Sequence, residues 1–175
     1  MKKDILLDID GVQRDIVTTC IQIYKEYYDP KDTTVHSDIQ VFDLSVKMPL
    51  ITDKYKFFTE NAKYIFGEAK PYDGALDFVK ELDAISNIHI VTNQIKGTEK
   101  YTIDWLEQYK IPYKSLHFTD YKHIVKGDIL IDDYIDNLIG FTGTPICYSQ
   151  CWNKGFDGIR MDSYEEIINY IRGRK

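Results

Sequence analysis

Two apolar runs in this chain each stop on a pair of carboxylates: Asp8 and Asp10 in ILLDID, and Asp132 with Asp133 in ILIDD. A short aliphatic and β-branched run of this kind reads as a strand buried on both faces, the habit of parallel sheets, and ligands of such sheets sit beyond the carboxyl ends of the strands. If the two strands are neighbours, the carboxylates crowd at one sheet edge. Like charges that close repel strongly in a poorly solvated site, so the cluster needs a cation or shared protons. A hard divalent ion such as Mg²⁺ suits an all-oxygen donor set.

The rest of the chain agrees with a parallel sheet. After a first strand over 5–9, residues 87–93 (NIHIVTN), 115–120 (SLHFTD), 128–132 (DILID) and 144–149 (TPICYS) read as four more strands. Helical spacing separates them, with a helix opened by Pro71 and Gly74, a long one over 97–109 and a last one over 163–172. Alternation of this kind predicts an α/β fold, a doubly wound parallel sheet with right-handed crossovers. Between Asp15 and Ala69 no strand-like run occurs. Ile16, Cys20, Ile23 and Tyr24, then Tyr55, Phe58, Ala62 and Ile65, recur at helical spacing. The expected organisation is a core domain of residues 1–14 and 71–175, with residues 15–70 inserted as a small, mainly helical cap. Gly11 is expected to let the backbone turn sharply beneath whatever the carboxylates hold.

Composition narrows the partners. A formal net charge of −6 in 175 residues speaks against a nucleic acid polymer, which needs a basic excess to release counter-ions. A small phosphorylated molecule stays open, since a local site can carry a metal. The N-terminal apolar stretch is too short for a signal sequence or a membrane span, which predicts a cytoplasmic protein. Cys20, Cys147 and Cys151 lack CxxC spacing and are expected to be reduced thiols. The four histidines show no ligand pattern, so zinc is not expected. Composition leaves a homodimer open.

Four pieces fall in order at strand ends or just before them: Asp8-x-Asp10, Thr92, Lys122 and Asp132-Asp133. With these residues the chain resembles the haloacid dehalogenase superfamily of phosphohydrolases, whose fold is a doubly wound sheet with an inserted cap. The resemblance implies Asp8 as nucleophile on phosphorus and Asp10 as general acid and base. It implies Thr92 and Lys122 as phosphate ligands, and Mg²⁺ held by Asp8, the Asp10 carbonyl, Asp133 and Asp132, with Asp133 the preferred direct ligand of the last pair. The string LDIDGVxxD, the pairing of VTNQIK with a preceding VKEL, and the spacing from Lys122 to IDD are similar to the 5′(3′)-deoxyribonucleotidases. Trp152-Asn153 corresponds to an aromatic-Asn pair that often follows the fifth strand there. A small nucleoside monophosphate is the implied substrate.

Further candidates follow from position. Lys126 competes with Lys122 for phosphate, although its spacing to IDD fits less well. Asn93 follows Thr92, and Lys96 opens a helix N-terminus that favours an anion. A nucleobase could stack on an aromatic ring of the insert, with Phe42 preferred over Tyr55, Phe57 and Phe58. Two alternatives stand beside the nucleotidase reading: a phosphatase of another metabolite such as a sugar phosphate, and a nucleotide-binding regulator without turnover.

Overall fold

In the computed structural model, which describes residues 2–173, six parallel strands form one sheet in the order β3-β2-β1-β4-β5-β6. They are β1 (Lys3–Leu7), β2 (Ser86–Thr92), β3 (Ser115–Phe118), β4 (Ile129–Asp132), β5 (Thr144–Tyr148) and β6 (Ile159–Met161). Helices cover both faces, as a doubly wound α/β fold requires. On one face Ile5, Leu7, Ile88, Ile90 and Ile131 pack against Phe78 and Leu82 of α3 (Ala75–Ile85) and Ile167 and Ile171 of α6 (Tyr164–Gly173). The same cluster takes in Trp105 and Leu106 of α4 (Glu99–Gln108). On the other face Leu6, Val91 and Leu130 meet Leu138 of the short α5 (Ile135–Leu138).

β1 lies between β2 and β4, and the order reverses there: β2 and β3 extend to one side, β4 to β6 to the other. Ligand crevices in open α/β sheets form at such switch points. Leu7 pairs with Ile131, so Asp8 and Asp132 follow at the same level, and Asp8 N makes the last bond of this ladder, 3.0 Å to Ile131 O.

Between β1 and α3 the chain is helical. Asp15 caps α1 (Ile16–Tyr27) by accepting from Thr18 N at 2.9 Å, and Asp53 caps α2 (Lys54–Glu60) by accepting from Lys56 N at 2.9 Å. Such caps satisfy amides that the first helical turn leaves free. Short 3₁₀ turns at His36–Asp38 and Leu44–Val46 and a π-helical stretch at Lys63–Glu68 complete the segment. Its buried face, with Val17, Cys20, Tyr24, Met48, Phe57 and Ile65, forms an apolar cluster separate from those of the sheet. Trp152, after β5, packs into that cluster.

Three expectations need correction. β1 ends at Leu7 rather than residue 9, because Ile9 O turns to accept from Gln13 N and Arg14 N. β6 has no counterpart in the sequence reading, since IRM is three residues long with a polar centre and gives no apolar run. Gly74, at φ 81°, occupies the N-cap of α3, so the helix opens at Ala75, after the glycine, and Pro71 lies outside it. Among the described residues, no helix is long and apolar enough to cross a membrane.

Ile90 is fully buried in a strand flanked on both sides. Ile90→Ala is expected to lower the unfolding free energy by about 2–5 kcal/mol through lost burial and a residual cavity, measured by urea denaturation.

Candidate active site

Parallel pairing of β1 with β4 delivers three carboxylates to one point. Oxygens of Asp8, Asp132 and Asp133 lie within 4.8 Å of one another, and all three residues are buried. Lys122 reaches them from the 3₁₀ turn Lys122–Ile124: its Nζ is 2.6 Å from Asp8 Oδ2 and 2.7 Å from Asp132 Oδ2. Only 2% of Lys122 is exposed, while Lys126 is exposed to solvent. The lysine that meets the acids is therefore Lys122.

The three acids differ in their remaining partners. Asp132 is occupied: besides Lys122, its Oδ1 accepts from Tyr134 N at 2.9 Å and Asn137 Nδ2 at 3.1 Å. Asp8 Oδ1 accepts from Ile9 N at 2.7 Å. Asp133 accepts at Oδ2 from Trp152 Nε1 at 2.8 Å, and Asn153 Nδ2 donates to its backbone carbonyl, also at 2.8 Å. Trp152 and Asn153 thus hold the Asp133 residue in place. Gly11 fits closely over it. At φ 77° its backbone is left-handed, and a Cβ there would stand 2.3 Å from Asp133 Oδ2, so only glycine suits the position.

One ammonium cannot neutralise three buried carboxylates. Burial first, then the Asp132 charge, pushes the Asp8 carboxyl up to about 8 against the pull of Lys122. Burial, Asp132 and Asp8 raise Asp133 well above the ordinary carboxylate range. Burial alone would depress the Lys122 ammonium, but Asp132 and Asp8 outweigh it and hold it above the usual lysine value. Close, hard oxygen donors with a net negative charge fit Mg²⁺ or Ca²⁺ and not a thiophilic metal.

The acids open onto a cleft of about 530 Å³ lined by Asp8, Asp10, Thr92, Lys122, Asp133 and Phe42, among others. Thr92 is fully buried at the end of β2, and among the described residues its Oγ1 has no hydrogen-bond partner. Gln94 Oε1, also buried at the cleft, is likewise unpartnered. Unpaired buried acceptors and hydroxyls are costly unless something fills them. A second cavity of about 210 Å³ shares Ile16, Phe42 and Phe58 with the cleft and is otherwise mostly apolar, with Trp152 in its wall.

The predicted residues do not all converge. Asn93 is exposed and lines the cleft, whereas Lys96 is exposed and lies outside the lining. Phe42 is 56% exposed, with its ring 4.5 Å from Tyr134 and 6.1 Å from Trp152. Phe58 borders both cavities, Phe57 is buried at the wall of the smaller one, and Tyr55 borders neither. The Asp10 carboxylate stands apart from the acidic trio, because both its oxygens are taken by Arg14, at 2.7 and 3.1 Å. Arg14 was missed by the sequence reading. Its one visible signal is the four-residue offset from Asp10, which carries no meaning outside a helix.

A family model described as "5′ nucleotidase, deoxy (pyrimidine), cytosolic type C protein" matches residues 2–175. The chain is 28% identical over 172 residues to a 5′(3′)-deoxyribonucleotidase of Bacillus subtilis, covering 95% of this chain and 97% of that one. Among solved structures, a haloacid dehalogenase-like hydrolase from Streptococcus pneumoniae superimposes with a TM-score of 0.66 at 14% identity, covering 97% of this chain and 98% of that one. A HAD-hydrolase from Bacillus subtilis bound to magnesium superimposes with a TM-score of 0.60 at 12% identity, covering 97% and 98%.

The raised acids predict a pH dependence. Folded Asp8 and Asp133 keep protons that the unfolded chain releases near its ordinary value of 3.8. The folded state therefore binds more protons above that pH, and stability falls as pH rises toward about 8. Melting curves of EDTA-treated protein are expected to shift down between about pH 5 and pH 8, with added Mg²⁺ raising the melting temperature more at the higher pH.

Proposed function

The chain belongs to the 5′ nucleotidase, deoxy (pyrimidine), cytosolic type C family, and we propose that this phosphoric monoester hydrolase is a Mg²⁺-dependent phosphatase of (deoxy)ribonucleoside monophosphates that works through an aspartyl-phosphate. The observation that carries the reading is the buried trio of Asp8, Asp132 and Asp133, with Lys122 bridging Asp8 and Asp132, beside a cleft that shares Ile16, Phe42 and Phe58 with an apolar cavity.

Each residue has a role that its position supports. A phosphate monoester is a dianion, so a carboxylate can approach it only where positive charge screens both. Mg²⁺ held by Asp8, Asp133 and the Asp10 carbonyl, with Asp132 beside them, would supply that charge and favour the ionised form of Asp8. Lys122, already against the Asp8 carboxylate, would hold a phosphate oxygen, and the free hydroxyl of Thr92 would donate to another. The Asp8 oxygen attacks phosphorus as the ester oxygen departs, and Asp10 gives that oxygen its proton. Water then attacks the phosphoryl group on Asp8 in line, Asp10 takes the water's proton, and Asp8 is released with inorganic phosphate. Division into two steps replaces one difficult displacement with two easier ones.

The cavity wall favours a substrate with a flat apolar part. Ile16, Phe42, Phe58 and Trp152 present apolar and aromatic surface beside the reacting centre. A nucleobase can stack there, at about 1–3 kcal/mol per base. A sugar phosphate would bring several hydroxyls against a wall that is mostly apolar, with Asp43, Ser45 and Lys54 its polar members, at a cost for each hydroxyl left unpaired. Phe42 is the ring that borders both cavities while contacting Tyr134.

Purified protein is expected to release phosphate from dUMP or dTMP in Mg²⁺, to stop in EDTA, and to turn over sugar phosphates far more slowly. Asp8→Asn is expected to abolish release on every substrate; a variant with full activity contradicts the nucleophile assignment. Phe42→Ala is expected to raise KM for a nucleotide about tenfold with little change for inorganic-like small phosphate esters, as steady-state kinetics would show.

A further inference from the structure

We propose that Arg14 is a positioning residue that sets the orientation of the Asp10 carboxylate toward the cleft; this rests on Asp10 being the proton carrier. Arg14 is completely buried. Its guanidinium forms a fork on Asp10, with Nε 2.7 Å from Oδ1 and Nη2 3.1 Å from Oδ2. Bidentate pairing of this type fixes the plane of a carboxylate as well as its position.

The fork is itself fixed from three sides. Nη1 donates to Phe66 O in the π-helical stretch, and Nη2 donates to Thr102 Oγ1 of α4 at 3.0 Å. The rings of Phe66 and Trp105 lie against the guanidinium, with centroids 5.5 and 5.2 Å from Cζ. Trp105 is pinned in turn by donating to Ala69 O at 2.7 Å. The Arg14 backbone bridges to Asp10 and to Pro71, so the arginine sits where the chain leaves the sheet edge and where it returns.

Burial of a guanidinium is expensive, and a buried ion pair is a poor way to gain stability compared with apolar packing. The pair here falls on the acid that must meet both a leaving oxygen and a water. Proton transfer needs hydrogen-bond reach to each, and small displacements of a positioned group cost large factors in rate. A carboxylate free to rotate about χ1 and χ2 would spend little time in that geometry. The four hydrogen bonds that Arg14 donates and the two rings against it remove that freedom from Asp10, with Arg14 itself outside the cleft lining.

Leaving-group dependence separates positioning from general structural support. p-Nitrophenolate departs without a proton, whereas a nucleoside alkoxide needs one. In a single turnover Asp10→Asn is expected to slow release of the nucleoside from a nucleoside monophosphate by about a hundredfold or more while sparing the burst of p-nitrophenolate from p-nitrophenyl phosphate, since the later hydrolysis of the phosphoryl-Asp8 needs Asp10 on either ester. Arg14→Met is expected to show the same selective loss, about tenfold or more, with the double variant no slower than Asp10→Asn alone. Arg14→Lys should recover part of the loss but not all of it, since an ammonium cannot make the fork. If Arg14→Met does not fold, Thr102→Val tests the same point by removing one anchor, with a smaller selective loss expected. Equal losses on both esters, or losses that add to those of Asp10→Asn, overturn the proposal for Arg14 alone. An Asp10→Asn protein without leaving-group selectivity overturns the proton-carrier reading and the Arg14 role with it.

Discussion

The buried ammonium of Lys122 is the contact on which the site depends. It lies within 2.7 Å of two carboxylates, with Asp133 close beside them, and one ammonium cannot balance three acids, so protons or a cation must make up the difference. Such a group of charges is unstable by itself, since desolvation penalises each carboxylate and mutual repulsion adds to the penalty. Its persistence in the core requires dense hydrogen bonding. Tyr134 N, Asn137, Ile9 N and Trp152 supply it. The residual imbalance is compatible with a divalent cation among these acids.

Sheet topology turns this electrostatic tension into geometry. β1 and β4 are far apart in sequence yet adjacent in the sheet, so carboxylates on the two strand ends are set side by side by backbone hydrogen bonds rather than by flexible loops. Rigid elements place groups more accurately than loops do. Gly11 then lets the chain turn directly above Asp133, and that turn carries Asp10 out of the trio to Arg14. The acid proposed to move protons and the acids suited to a cation are thereby kept apart, although they are close in sequence. Trp152 links the two levels of the molecule: its indole N–H holds Asp133 while its ring joins the apolar cluster of the helical segment.

Several features were readable from residues alone. Apolar runs ending on carboxylates located β1 and β4, because a strand buried on both faces must be apolar along its length and can change to charge only at its end. Helical spacing of Ile16, Cys20, Ile23 and Tyr24 marked α1, whose cap, Asp15, came from the structure. Lys122 was preferred over Lys126 on spacing, and it is the lysine that the structure buries against the acids. Other features left no local trace. β6 is too short and polar to signal a strand, and it exists because β5 offers it an edge. Lys96 has the composition of an anion site at a helix start, yet its side chain falls outside the cleft lining.

What the sequence by itself determined is the inventory and the order: an α/β chain with acids at two strand ends, a hydroxyl and a lysine between them, and an aromatic helical segment inserted early. These follow from periodicity and from the poor tolerance of buried strands for charge, both of which act over a few residues. The tertiary structure alone decided which acids share one point, which of them Lys122 engages, that Asp10 is given to Arg14, and that Phe42, Phe58 and Trp152 border one cavity. Those outcomes depend on strand order, on a single left-handed glycine and on side chains brought together from distant parts of the chain. No local pattern encodes them, because their free energy comes from desolvation and from partners that meet only after folding.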